Sequence, residues 1–199
     1  MNLNNNTDSV SVNLNDEALL AAYNGDMEVL DKLYKDGHNL GVVDTYGRTT
    51  AYLAVLNGHE DCLRFLKKAG CNLGQADNNG VTPVFVAAET GHETCMLILK
   101  EAGCNLGQTT NGSATPAFVA AAKGHQGCLR LLMEAGCDLK QAVCDGQTPA
   151  YVAAQYGHEG CLRLLKDAGC DLRQANNKGV TPAYMAAKNR HEGCLRILQ

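Results

Sequence analysis

The chain has 199 residues, is 45% hydrophobic and 19% charged, and carries a formal net charge of −4. This is the composition of a folded chain, and its acidity argues against a general nucleic-acid binder, which needs a basic face to displace counterions. No apolar run approaches the ~18–20 residues of a membrane span, and the opening "MNLNNNTDSVSVN" has neither the basic start nor the apolar core of a signal peptide.

Residues 1–13 are expected to be a flexible leader, because Asn, Ser and Thr there bury too little apolar area to offset ordering. Residues 14–43, with "LLAAYNGDMEVLDKLYKDGHNL", are expected to form a degenerate N-terminal capping unit. Its outer face would be polar through Asn15, Asp16, Glu17, Asp26 and Asp31. From residue 44 a unit of 33 residues recurs, over 44–76, 77–109, 110–142 and 143–175, with a truncated copy at 176–199. Each copy opens on a turn signal such as "DTYG" or "DNNG", where Asn, Asp and Gly supply left-handed backbone and side-chain hydrogen bonds. The third copy reads "TNGSAT", with its glycine one place early at Gly112, which predicts a differently shaped tip. Thr-Pro follows in four copies, an N-cap and first-turn pair that predicts a short Ala-rich helix. A second helix is expected from near His59 and its equivalents, its apolar stripe in the fourth copy being Cys161, Leu162, Leu164 and Leu165. A period this long and regular marks a stacked repeat, each copy burying its apolar face on the next.

"GVTPVFVAAETGHETCMLILKEAGCNL" resembles the ankyrin repeat, whose pattern runs G-x-T-P-L-H-x-A-A, then G-H, a Leu-rich helix and G-A-D. The resemblance covers 44–199 strongly and 14–43 weakly. It implies an all-α solenoid of helix-turn-helix repeats with β-hairpin tips, working as a protein-interaction module and not as an enzyme. The chain departs from the pattern in placing Tyr52, Phe85, Phe118, Tyr151 and Tyr184 where the family has His. The hydrogen bonds that His makes to neighbouring loops are then open to replacement by aromatic packing.

The ladder of His59, His92, His125, His158 and His191, each three residues ahead of a cysteine, raises a chemical question. One His–Cys pair supplies two metal ligands, and tetrahedral zinc needs its ligands roughly 3.5–4 Å apart, with Zn–S near ~2.3 Å. Neighbouring copies, packed at about 8–10 Å, are too far apart to complete the set. The same spacing exceeds the ~7 Å Cα limit of a disulfide. Structural packing of the nine in-register cysteines, buried and reduced in the cytoplasm, is therefore expected. Metal binding and thiol catalysis are the competing readings. Cys144 alone leaves the cysteine register and reads as an exposed bystander at a hairpin tip. Arg64, Arg130, Arg163 and Arg196 share one outer position, and Glu60, Glu159 and Glu192 four residues before them predict internally paired faces.

Positions that vary between copies are where specificity is expected, on the concave side lined by tips and first helices. They include Tyr46, Arg48 and Leu56, then Asn79 and Glu89, then Lys123. The fourth copy contributes Asp145, Gln147, Gln155 and Tyr156, and the last Lys178 and Lys188. The expected occupant is an unidentified protein partner, with no cofactor, metal, nucleic acid or membrane, and with the chain a monomer in isolation. The alternative reading is a targeting arm of a larger enzyme or effector, favoured by a chain that stops at Gln199 without a helix terminator or a polar cap.

Overall fold

The computed structural model describes residues 16–199. The expected leader and Asn15 of the capping unit lie outside the described residues. Twelve helices among the described residues form six antiparallel pairs. The first helices of the pairs are α1 (Glu17–Asn24), α3 (Thr50–Leu56), α5 (Pro83–Thr90), α7 (Pro116–Lys123), α9 (Pro149–Tyr156) and α11 (Pro182–Lys188). The second helices are α2 (Met27–Lys35), α4 (Glu60–Lys68), α6 (Glu93–Glu101), α8 (Gln126–Glu134), α10 (Glu159–Asp167) and α12 (Glu192–Leu198).

The first helices start where the local chemistry says they should. Thr49, Thr82, Thr115, Thr148 and Thr181 each accept, through Oγ1, the N–H three residues on, at 3.0–3.2 Å. Such a cap is worth about 1 kcal/mol. Proline follows in four of them at the first helical position, where no hydrogen bond is lost. In α3 that place is taken by Thr50, whose hydroxyl instead donates to the Leu40 carbonyl at 2.6 Å. Five of the six second helices lack a side-chain cap, the residue there being His, while Asp26 caps α2 by accepting the Val29 N–H at 3.0 Å. Glu60, Glu93, Glu159 and Glu192 in the first turn complement the helix dipole.

The histidines do something else: they join one pair to the next. Nε2 of His59, His125, His158 and His191 lies 3.0 Å from the carbonyl of Tyr23, Glu89, Ala122 and Gln155, in the pair before. A carbonyl only accepts, so Nε2 carries the proton. The ring also lies over a glycine of that previous pair. Gly91 has φ of +80°, and a Cβ there would come within 2.6 Å of His125 Nδ1. Both the backbone and the space demand glycine.

The core is one continuous column. Cys62, Cys95, Cys128, Cys161 and Cys194 are buried together with Leu63, Leu129 and Leu162 and the alanines of the first helices. Ala87, Ala120 and Ala153 let the first helices approach more closely from pair to pair than the second helices do. The stack therefore curves with the first helices on the inside. Each tip is a tight turn closed by a pair of backbone bonds, as in Asp77 N–H to Val81 and Gly80 N–H to Asp77. Among the described residues the hairpin character is limited to one bridge, Val43 with Thr49, and no strand forms.

Candidate functional site

The tips are tied to each other by a ladder of asparagines. Asn78, Asn111 and Asn177 donate their backbone N–H to the carbonyls of Tyr46, Asn79 and Asp145 in the preceding tip, each at 2.9 Å. Their side-chain amides donate to the carbonyls of Thr45, Asn78 and Cys144. Cys144 belongs to this register too, which opens on Thr45 and is Asn at every later tip but this one. The tip before it is the one with the displaced glycine. Its turn is closed like the others, by Thr110 N–H to Ala114 and Ser113 N–H to Thr110. The expected difference in shape is thus not found. Ser113 instead takes the left-handed place, at φ of 65°, that Gly146 fills at 82° in the next tip. A Cβ at the equivalent Gly80 would stand 2.7 Å from Asn111 Oδ1. Ser113 has that Cβ, and the smaller Cys144 faces it, Sγ lying 3.5 Å from Ser113 Oγ.

Two tyrosines stand out on the inner side. Tyr46 is 48% exposed at the first of these tips and Tyr156 39% exposed at the end of α9. Tyr46 is braced from below. Asp44 accepts the N–H of Tyr46 and of Arg48 at 2.9 Å, and its other oxygen takes Arg48 Nε at 2.7 Å. The Arg48 guanidinium then sits 4.8 Å from the centre of the Tyr46 ring, a cation–π contact. Arg48 is itself only 6% exposed. It is a support for Tyr46 and not, as its sequence position suggested, a surface for a partner.

The remaining predicted residues lie at or near the surface, and two pairs of them contact each other. Lys123 Nζ lies 4.0 Å from Glu89 Oε1, and Gln147 donates to Asp145 at 2.9 Å. Asn79, Asp145, Lys178 and Lys188 are exposed, and Leu56, Glu89, Gln147 and Gln155 are half-buried. The Gln155 carbonyl is spent on the scaffold, accepting from Asn189 and His191 of the following pair. No nucleophile, base and oxyanion donor converge here.

The cysteines divide into two columns. All ten are free. Burial pushes the thiols of Cys62, Cys95 and Cys161 up to about 11 and that of Cys128 to about 12. Cys71, Cys104, Cys137 and Cys170 are half-exposed, against the expectation that all nine in-register thiols are enclosed. Among the described residues no group of three or more His, Cys, Asp or Glu is placed to hold a metal ion. On the outer side, Glu159 pairs with Arg163 at 3.2 Å, but no such pair joins Glu60 to Arg64 or Glu192 to Arg196. The carboxylate of Glu93 lies instead across Gly127 of the next pair, where a Cβ would collide with it. Glu159 lies across Gly193 in the same way.

The aromatic residues standing for the family's His make one of the bonds that His would make. Asn176 of the next tip donates to the Tyr151 hydroxyl at 3.3 Å. Tyr184, the equivalent residue in α11, is 56% exposed and was not singled out from sequence as a surface residue. Its place in the last copy was the signal.

Comparison with known proteins agrees with this geometry. The family model described as "Ankyrin repeats (3 copies)" matches residues 18–110, 96–176 and 117–199. The crystal structure of the human ASB11 ankyrin repeat domain superposes with a TM-score of 0.83 at 26% identity, over 92% of this chain and 82% of that one. No curated protein matches the chain.

Proposed function

The chain belongs to the ankyrin-repeat family, and from that premise we propose that it is an adaptor that binds a protein partner on its inner, tip-and-first-helix face. Repeats of this family are in general protein-interaction modules without catalysis. We extend this to a cytoplasmic protein that is not an enzyme, whose single chain presents the whole binding face. The observation that carries the reading is the pair Tyr46 and Tyr156, large aromatic rings left exposed on the inner side of a rigid stack. Tyr offers much contact area for few rotamers lost, and a stack that is already ordered loses little entropy on docking.

The test begins with proximity labelling and affinity capture to obtain a partner, and proceeds by substitution. Truncating a central anchor costs about 2 kcal/mol or more, roughly thirtyfold in affinity. Tyr46→Ala and Tyr156→Ala should each weaken the captured complex by about that factor while leaving the fold intact. Arg163→Ala, on the outer side, should leave affinity unchanged. Loss of binding on the Arg163 change, with the tyrosine variants unaffected, would place the interface on the other side.

A further inference from the structure

The displaced glycine of the third tip leaves a reactive pair of residues there. Each tip is a tight turn, and in three of them the third backbone N–H is covered by the side chain of the first residue. Asp44 accepts the Tyr46 N–H and Asp77 the Asn79 N–H at 2.9 Å, and Asn176 accepts the Lys178 N–H at 3.0 Å. In the third tip the first residue is Thr110, whose hydroxyl accepts the Ala114 N–H at 3.2 Å instead. The third residue is Gly112, and its N–H donates to no protein group among the described residues. Asn111 and Gly112 are both exposed.

In an Asn-Gly sequence the backbone nitrogen of the glycine can reach the side-chain amide before it, because glycine has no Cβ to bar the approach. The chain has four such pairs, at 24–25, 57–58, 79–80 and 111–112. In the first three the glycine nitrogen is already committed: Gly25 N–H donates to Ala21, Gly58 N–H to Val55 and Gly80 N–H to Asp77. The Asn57 amide is held as well, at 2.7 Å from the Tyr23 carbonyl. At 111–112 the nitrogen is uncommitted, and the Asn111 amide is restrained by a longer bond, 3.2 Å to the Asn78 carbonyl. The fourth tip also leaves its third N–H, that of Asp145, uncovered, but the residue before it is Cys144, which has no amide.

We propose that Asn111 is a site of spontaneous deamidation, and that the change loosens the joint between the second and third repeats. The Gly112 nitrogen gives up its proton to hydroxide and bonds to Asn111 Cγ. The Cγ–Nδ2 bond breaks, and the amide nitrogen leaves as ammonia. Water then opens the cyclic imide at either of its carbonyls. Opening at Cγ gives aspartate on an unchanged backbone, and opening at the main-chain carbonyl gives isoaspartate, with the backbone routed through Cγ. Water enters, ammonia leaves, and nothing is oxidised or reduced. Both products carry a carboxylate, which only accepts, in place of an amide that donated. Aspartate sets that carboxylate against the Asn78 carbonyl, where Nδ2 had donated. Isoaspartate adds a carbon to the main chain inside the turn that Ser113 N–H closes on Thr110.

The test is peptide mapping by mass spectrometry of the purified chain during incubation at mildly alkaline pH and body temperature, with isoaspartate identified by enzymatic methylation. In the folded chain the Asn111 peptide should convert first, while those of Asn24, Asn57 and Asn79 stay unchanged. In urea all four should convert at comparable rates, because no glycine nitrogen is then held. Thr110→Asp restores the cover that Asp77 provides, and should slow Asn111 in the folded chain to the rate of Asn79 without changing its rate in urea. Asn111→Asp, which reproduces one product, should melt below wild type. Conversion of another pair ahead of Asn111 overturns the site. So does a folded chain that stays intact over the time in which urea converts all four, or a Thr110→Asp variant that reacts as fast as wild type. An Asn111→Asp variant that melts with wild type overturns the loosening.

Discussion

Ser113→Gly and Cys144→Asn form a pair whose effects on stability should not add. Ser113 holds a left-handed φ of 65°, which costs a residue with a Cβ roughly 1–2 kcal/mol. Glycine removes that cost but loses about 0.5–1 kcal/mol in the unfolded chain's favour, so Ser113→Gly alone should stabilise by about 0.5 kcal/mol. Cys144→Asn alone places an amide where the equivalent contact, Asn111 Oδ1 against a Cβ on Gly80, would be 2.7 Å. It should be neutral or destabilise by up to about 1 kcal/mol, as overpacking does. The double variant removes the collision and allows the two bonds seen at Asn177, from backbone N–H to Asp145 and from Nδ2 to Cys144 at 2.9 and 3.0 Å. Two net hydrogen bonds at about 1 kcal/mol each put the double variant some 2 kcal/mol above wild type, with a coupling of at least ~1 kcal/mol. Urea denaturation of all four proteins, at constant m-value, measures this. Additive effects within about 0.5 kcal/mol would refute a steric link between the two tips.

Gly91→Ala meets both the left-handed backbone and the His125 ring and should lose about 2 kcal/mol or more, whereas Gly136→Ala, with nothing within 4 Å, should lose only the backbone part, about 1 kcal/mol; thermal melts of the two compare them directly. Native thiol labelling should modify exposed Cys144 first, half-exposed Cys71, Cys104, Cys137 and Cys170 next, and Cys62, Cys95, Cys128 and Cys161 only on unfolding, because burial holds the last four thiols at about 11–12. The His158 pKa is lowered, first by burial and then by the His125 and His191 charges, against the Ala122 hydrogen bond that raises it. The unfolded chain then takes up a proton there more readily, so the His158 contribution is intact above the ordinary histidine pKa of about 6.5 and declines as pH falls below it. Denaturation at a series of pH values should show that slope, and His158→Gln should flatten it.

Most of the scaffold was legible because it is repeated: Thr caps, Pro at the helix start, and the Gly-His step each carry their physical reason in a short stretch of sequence. Arg48 was misplaced because neighbours in sequence do not say which side of a turn faces in. Its burial depends on Asp44, four residues earlier, taking the guanidinium under the tip. The half-exposure of Cys71 and its equivalents was also hidden, since it depends on how far successive second helices splay. Cys144 looked irregular as a cysteine and becomes regular only when counted as a missing asparagine. The exposure of Tyr46 and Tyr156 was legible from their place at variable positions; the support beneath Tyr46 was not.

The Gly–His step also bears on how such a gene can change length. Because each step joins a glycine of one unit to a histidine of the next, an in-frame loss of 33 residues rebuilds the step wherever the breakpoints fall. Recombination between copies therefore yields shorter products whose new junction resembles an old one. Loss of 77–109 brings Gly47 before Asn111, a pairing already used by Gly80 with Asn111. Loss of 143–175 brings Ser113 before Asn177, the combination that the parent chain avoids by keeping a cysteine there. Loss of 110–142 brings Gly80 before Cys144, a glycine and a small side chain that fit, so the one junction that carries a collision is the one that keeps the serine without the cysteine.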